Sequence, residues 1–158
     1  MITSKEIQRL LPHRPPMLLV DRVADAVPGE RITAFSTIAR SEVWDPVTDA
    51  DSAVYPQTLL VESWAQAAAV LVGLDTSDAE VPGNRLMLLG AASEIEFHRP
   101  ARLGDVVEHR VRILRALSDT VMVEGESVVG EDTVVTVRQM VMLLRPAEQL
   151  RVQEGNRQ

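Results

Sequence analysis

One carboxyl is set among neighbours that would desolvate it. Glu62 sits amid Leu60, Val61, Trp64 and Ala65. A carboxyl buried without a full charge partner is pushed toward its protonated form. A carboxyl that holds its proton near neutral pH is suited to general acid catalysis. Gln66 lies four residues further on, so on a helix it shares the face of Glu62. A second account is structural: Glu62 reaches solvent, or Gln66 ties it to backbone.

Candidate bases are few, because the chain has only His13, His98 and His109. His13 is followed closely by Pro15 and Pro16 and reads as the brace of a turn. His98 ends a strand-like segment, where it is expected to be exposed. His109 falls on the apolar face of an alternating segment, which fits a core histidine hydrogen-bonded to backbone better than a catalytic one. No two histidines have ligand spacing and cysteine is absent, so neither a metal site nor a thiol nucleophile is expected. No cofactor is implied.

The elements that must position Glu62 follow from pattern. Pro56 marks a helix start, where a missing N–H costs nothing. The run after it is rich in Leu and Ala, with no Gly or Pro until Gly73, a plausible stop. Its alanines allow a sheet to approach closely, so it reads as a buried central helix. Before it, Thr3 or Ser4 can cap a short helix over 5–10, and 17–23 reads as a buried strand. Pro28-Gly29 is a turn, and 31–38 alternates as its hairpin partner. The irregular acidic stretch 41–54 is expected to drape over the start of the central helix. Segments 85–97, 106–114, 120–129 and 133–144 all read as strands. The expected architecture is α+β: an antiparallel sheet wrapped around one helix, with a free edge that invites a second copy. One domain over 1–146 and a polar tail over 147–158 are expected.

Bulk properties exclude several classes. The 158 residues suffice for one domain with a full core. A net charge of −7 and 3% aromatics argue against a nucleic-acid binder. No apolar run is expected to span a membrane, and residues 1–6 lack a signal-peptide pattern, so the expected compartment is the cytoplasm. Arg99, Arg102, Arg110, Arg112 and Arg115 cluster in sequence, as either a local basic patch or a solvated strand face.

Three words carry a family resemblance. The run from Leu11-Pro12-His13-Arg14-Pro15-Pro16 through Asp21-Arg22-Val23 resembles the opening signature of the hot-dog fold dehydratases that act on 3-hydroxyacyl groups carried by acyl carrier protein. Tyr55-Pro56-Gln57 through Glu62-Ser63-Trp64-Ala65-Gln66-Ala67 is similar to their central-helix motif, with Gln57 where glycine is usual. Phe97-His98-Arg99-Pro100 and Leu103-Gly104-Asp105 resemble a later strand and turn.

The resemblance implies a hot-dog fold and a dehydration. A histidine removes the α-proton of the thioester, a helix carboxyl protonates the leaving β-hydroxyl, and a backbone N–H polarises the carbonyl. Carried over, Glu62 is the catalytic carboxyl, Gln57 offers the N–H at the positive helix end, and Tyr55 and Gln66 join it in binding substrate. The family's histidine lies in the loop before the central helix. Here that loop, 43–54, holds none. Asp49 or Asp51 would be weak bases for a thioester α-proton.

The resemblance also implies sites shared between subunits, histidine from one and carboxyl from the other. This chain is therefore expected to lend Glu62 to a histidine-bearing homologous subunit, in fatty acid biosynthesis or a specialised polyene or polyketide-like pathway, with the acyl carrier protein as partner. The alternatives are a homodimer, a non-catalytic acyl-binding partner, or a hot-dog thioesterase that uses a helix carboxylate on water.

Overall fold

Alternation of apolar and polar residues folds as read in the strands. Around His109, Val107, His109 and Val111 are buried while Val106, Arg110 and Arg112 face outward. The computed structural model describes residues 1–41, 43–45, 53–75 and 85–146. The elements are α1 (Ser4–Leu10), β1 (Arg22–Val27), β2 (Arg31–Thr37), α2 (Gln57–Asp75), β3 (Arg85–Phe97), β4 (Val106–Ala116), β5 (Thr120–Val129) and β6 (Asp132–Pro146). The strands form one six-stranded sheet in the order β1-β2-β4-β5-β6-β3. Every neighbouring pair is antiparallel. The architecture is the α+β hot-dog arrangement, with α2 packed across β2, β3, β4 and β5.

The core explains the composition of α2. Leu60, Trp64, Ala67, Ala68, Val70 and Leu71 are buried against Ile32 and Ala34 of β2, Val107 and Val111 of β4, Val123 of β5 and Met140 of β6. Each fully buried Leu or Val contributes roughly 1.5–3 kcal/mol. The helix also corrects an expectation. The window Gln57–Leu74 has the length and mean hydropathy, 1.2, to cross a membrane, and 61% of it is buried inside the fold. A core helix wrapped by a sheet needs the same apolar composition as a membrane span, so the sequence rule does not separate the two.

Three local expectations are also corrected. Gly73 does not end α2, which continues to Asp75. A Cβ at Gly73 would meet the Leu10 side chain at 3.6 Å, so this glycine marks where α1 packs on α2. Residues 17–21 are not strand, and β1 begins at Arg22. The Gln66 side chain takes the backbone groups of Met17 and Leu19 instead of a neighbouring strand. Pro56 precedes the first turn, its carbonyl accepting the Leu60 N–H at 3.1 Å, while helix begins at Gln57. Thr3 caps α1, with the Glu6 carboxylate accepting from both its N–H and its hydroxyl at 2.8 Å.

The two sheet edges differ. Ile2 bridges to Val23 and covers part of β1. Strand β3 lies at the other edge, and Leu89 (56%) and Phe97 (38%) stand exposed on it. The tail 147–158 lies outside the described residues, as do Asp49 and Asp51.

Candidate active site

Helix α2 presents Glu62 on the strip that the sheet leaves uncovered. Thr58 is exposed and Val61 half-buried beside it, whereas Ser63 to Val72 are buried. The Glu62 side chain is 35% exposed. Of the two accounts of Glu62, the desolvated carboxyl is corrected and the structural one describes its surroundings: Leu60 and Trp64 are buried in the core, while Glu62 reaches solvent in part and is bonded by Gln66.

Its position is nonetheless fixed from two directions. Gln66, one turn on and 1% exposed, donates Nε2–H to Glu62 Oε1 at 2.9 Å. The same amide nitrogen donates to the Met17 carbonyl at 2.8 Å, and Oε1 of Gln66 accepts the Leu19 N–H at 2.9 Å. Both amide hydrogens are therefore spent on protein. Gln66, named from sequence as a substrate contact, stands behind Glu62 and sets its rotamer. From the other direction, Nε2 of His13 approaches Oε1 of Glu62 to 3.4 Å.

The carboxyl opens onto a largely apolar groove of about 350 Å³ lined by Gln57, Thr58, Val61, Glu62, Ala65, Leu89 and Phe97. One wall is α2 and the other is the free edge strand β3. Gln57 is the first helical residue, exposed at the mouth, where the positive end of α2 favours a developing negative charge. The groove joins an acid to an apolar wall and a helix terminus, which suits protonation of a group on an acyl chain.

Tyr55 does not reach this groove. It is half-buried, donates its N–H to the Ala101 carbonyl at 2.8 Å, and packs edge-on to Trp44 with ring centroids 5.2 Å apart. It meets Gln57 only across a smaller cavity of about 240 Å³ with Phe97 and His98. On its other side it lines a cavity of about 450 Å³ with Asp21, Ser36 and Ser63. Burial, and then the charge of Asp21, hold its phenol above the usual range.

The histidines separate by environment. His109 is fully buried, with Nδ1 2.8 Å from Ser127 Oγ and Nε2 3.0 Å from Ser36 Oγ. Burial lowers its pKa to about 3. It is a neutral core residue, bonded to hydroxyls on β5 and β2 where backbone partners were expected. His98 is exposed and pairs with Thr136 Oγ1 at 2.8 Å. His13 is the one that sequence reasoning misplaced: it contacts Glu62. Loop and helix are 49 residues apart, and no local periodicity reports such a contact.

Three arginines of the cluster, Arg99, Arg110 and Arg112, form ion pairs. Arg110 binds Glu108 at 2.8 Å and Glu126 at 3.1 Å, Arg112 pairs with Glu124, and Arg99 lies 3.2 Å from Asp132. Among the described residues, no group of three His, Asp or Glu could hold a metal ion.

Comparison with known proteins finds similarity along most of the chain. A family model described as ApeP-like, ApeP dehydratase, matches residues 5–151. The 3-hydroxyacyl-[acyl-carrier-protein] dehydratase FabZ of Psychromonas ingrahamii is 37% identical over 141 residues, covering 89% of this chain and 91% of that protein. FabZ of Campylobacter hominis is 30% identical over 144 residues, covering 91% and 99%. Among solved structures, a chain of the dehydratase heterocomplex ApeI:P from Xenorhabdus doucetiae superposes with a TM-score of 0.77 at 21% identity, covering 91% of this chain and 93% of that one. A hypothetical thioesterase with coenzyme A from Streptococcus pneumoniae superposes at 0.60 and 10% identity, covering 79% and 85%, which is a likeness of fold.

Proposed function

The chain belongs to the ApeP-like dehydratase family, and we propose that it is a 3-hydroxyacyl-carrier-protein dehydratase subunit that lends Glu62 to a site completed by a histidine-bearing homologue. The reaction breaks Cα–H and Cβ–O and forms a C=C bond. A base takes the α-proton, and protonated Glu62 gives its proton to the departing hydroxyl, which leaves as water. Gln57 supplies the backbone N–H at the carbonyl. Substrate runs along the apolar wall made by Val61, Ala65, Leu89 and Phe97.

One observation carries this reading: the groove of Glu62 is walled on one side by a free sheet edge. A partner strand added there would close the groove and could bring a histidine to it. Of the three histidines, His98 and His109 do not line this groove, and His13 is in contact with the acid itself. In this reading the base comes from a related subunit added at that edge. The heterocomplex relative supports that choice.

The test is product analysis on a 3-hydroxyacyl carrier-protein substrate, with the chain alone and with a histidine-bearing homologue. Enoyl product formed only by the mixture is expected. Brisk dehydration by the chain alone would contradict the shared site. Release of free carrier thiol would point to a thioesterase. No turnover in any combination would leave the chain a non-catalytic partner.

A further inference from the structure

His13 is not explained by the family reaction, and its contact with Glu62 excludes one role and suggests another. His13 does not line the groove of Glu62. Its Nδ1 is buried, and its Nε2 is taken up by the contact with Glu62 Oε1 at 3.4 Å, so neither ring nitrogen is presented to an acyl chain in the groove. His13 is therefore not the α-proton base for the acid that it touches.

The loop that carries His13 is fixed. Arg14 donates to the carbonyls of Leu11 at 2.9 Å and His13 at 2.7 Å. The N–H groups of Met17 and Leu18 both bond the Arg14 carbonyl, at 2.9 and 3.0 Å. Gln66 then fastens Met17 and Leu19 to α2. Loop, Gln66 and Glu62 thus form one connected unit. Nδ1 of His13 is buried with no partner among the described residues. A buried N–H without an acceptor is costly, so the proton belongs on Nε2, the nitrogen that faces Glu62.

We propose that His13 is a positioning residue for Glu62: its Nε2–H and the Gln66 amide together hold Oε1, leaving Oε2 to face the substrate. Both approach the same carboxyl oxygen, the Gln66 amide at 2.9 Å and the imidazole at 3.4 Å. With Oε1 so engaged, the proton that is transferred resides on Oε2. The inference rests on the reading of Glu62 as the acid.

The test uses the active complex with His13→Ala, His13→Gln and Glu62→Gln in this chain, reading kcat, KM and melting temperature. His13→Ala is expected to lower kcat between about 10- and 100-fold, the scale of a misplaced catalytic group, with KM unchanged. His13→Gln keeps an N–H donor and is expected to recover most of that loss. Unchanged kcat in His13→Ala, with Glu62→Gln inactive, would overturn the inference alone. So would a loss that tracks melting temperature and that His13→Gln does not recover, for that is a merely structural brace. Full activity in Glu62→Gln would overturn the acid assignment itself, and with it this role.

Discussion

Gln66 and Glu62 are joined by a 2.9 Å hydrogen bond from an amide that also holds two backbone groups of a loop 47 and 49 residues away. Replacing Gln66 with Met keeps volume and removes all three bonds. The Leu19 N–H and the Met17 carbonyl then lose their partners, at a cost of about 1–3 kcal/mol. Urea unfolding of Gln66→Met should show this as a lower midpoint with an unchanged slope. An unchanged midpoint would mean that the loop is held by other contacts.

His109 ties stability to pH. Burial lowers its folded pKa to about 3 from an ordinary 6.5. Above 6.5 neither state binds the proton and the residue is neutral in the balance. Below 6.5 the unfolded chain takes up a proton that the folded chain refuses, so stability falls, by up to about 1.4 kcal/mol per pH unit, until the folded pKa is passed. Between pH 6.5 and 5, before most carboxylates titrate, the fall should be steeper in the native chain than in His109→Asn. Equal slopes would show that the imidazole is solvated or protonated in the fold.

Gly125 predicts a steric failure. A Cβ there would sit 1.9 Å from the Arg110 carbonyl oxygen on β4, a backbone atom that cannot swing away. Gly125→Ala should force β4 and β5 apart locally and cost about 1–3 kcal/mol or more, as overpacking does. Thermal unfolding measures it, and a native-like melting temperature would mean that the strand pair relaxes freely at that point.

Leu89 tests the free edge. It is 56% exposed, so Leu89→Arg should leave the isolated chain's stability within about 0.5 kcal/mol. Association should suffer instead, because an arginine is placed on the strand that the proposed partner must cover. Sedimentation of the mixture should show a smaller fraction in complex. Undiminished association would move the interface away from β3.

What was legible in the sequence follows from the range of the forces involved. Strand β4 was readable because alternation is a local property, and Val107, His109 and Val111 share a face whatever lies beside them. Pro56 and the charge-poor run after it marked α2 to within a residue at its start. The Glu62–Gln66 pairing was readable because helical spacing dictates it. The run 17–20 misled, since an apolar stretch reads as strand unless a distant side chain takes its backbone groups, as Gln66 does. Burial of Glu62 misled for a related reason: apolar neighbours in sequence are not neighbours in space, and Leu60, Trp64 and Ala65 are buried in the core while Glu62 is partly exposed. The contact of His13 with Glu62 depends on where a loop comes to rest, which no spacing encodes.

The account depends most on Glu62 as the proton donor in a site that needs a second subunit. The direct measurement is turnover of a 3-hydroxyacyl carrier-protein substrate by the complex carrying Glu62→Gln, with assembly verified by native mass spectrometry. The amide is nearly isosteric and cannot deliver the proton, so turnover should fall about 10²- to 10⁴-fold with the complex intact. Turnover equal to that of the unaltered complex would contradict the account.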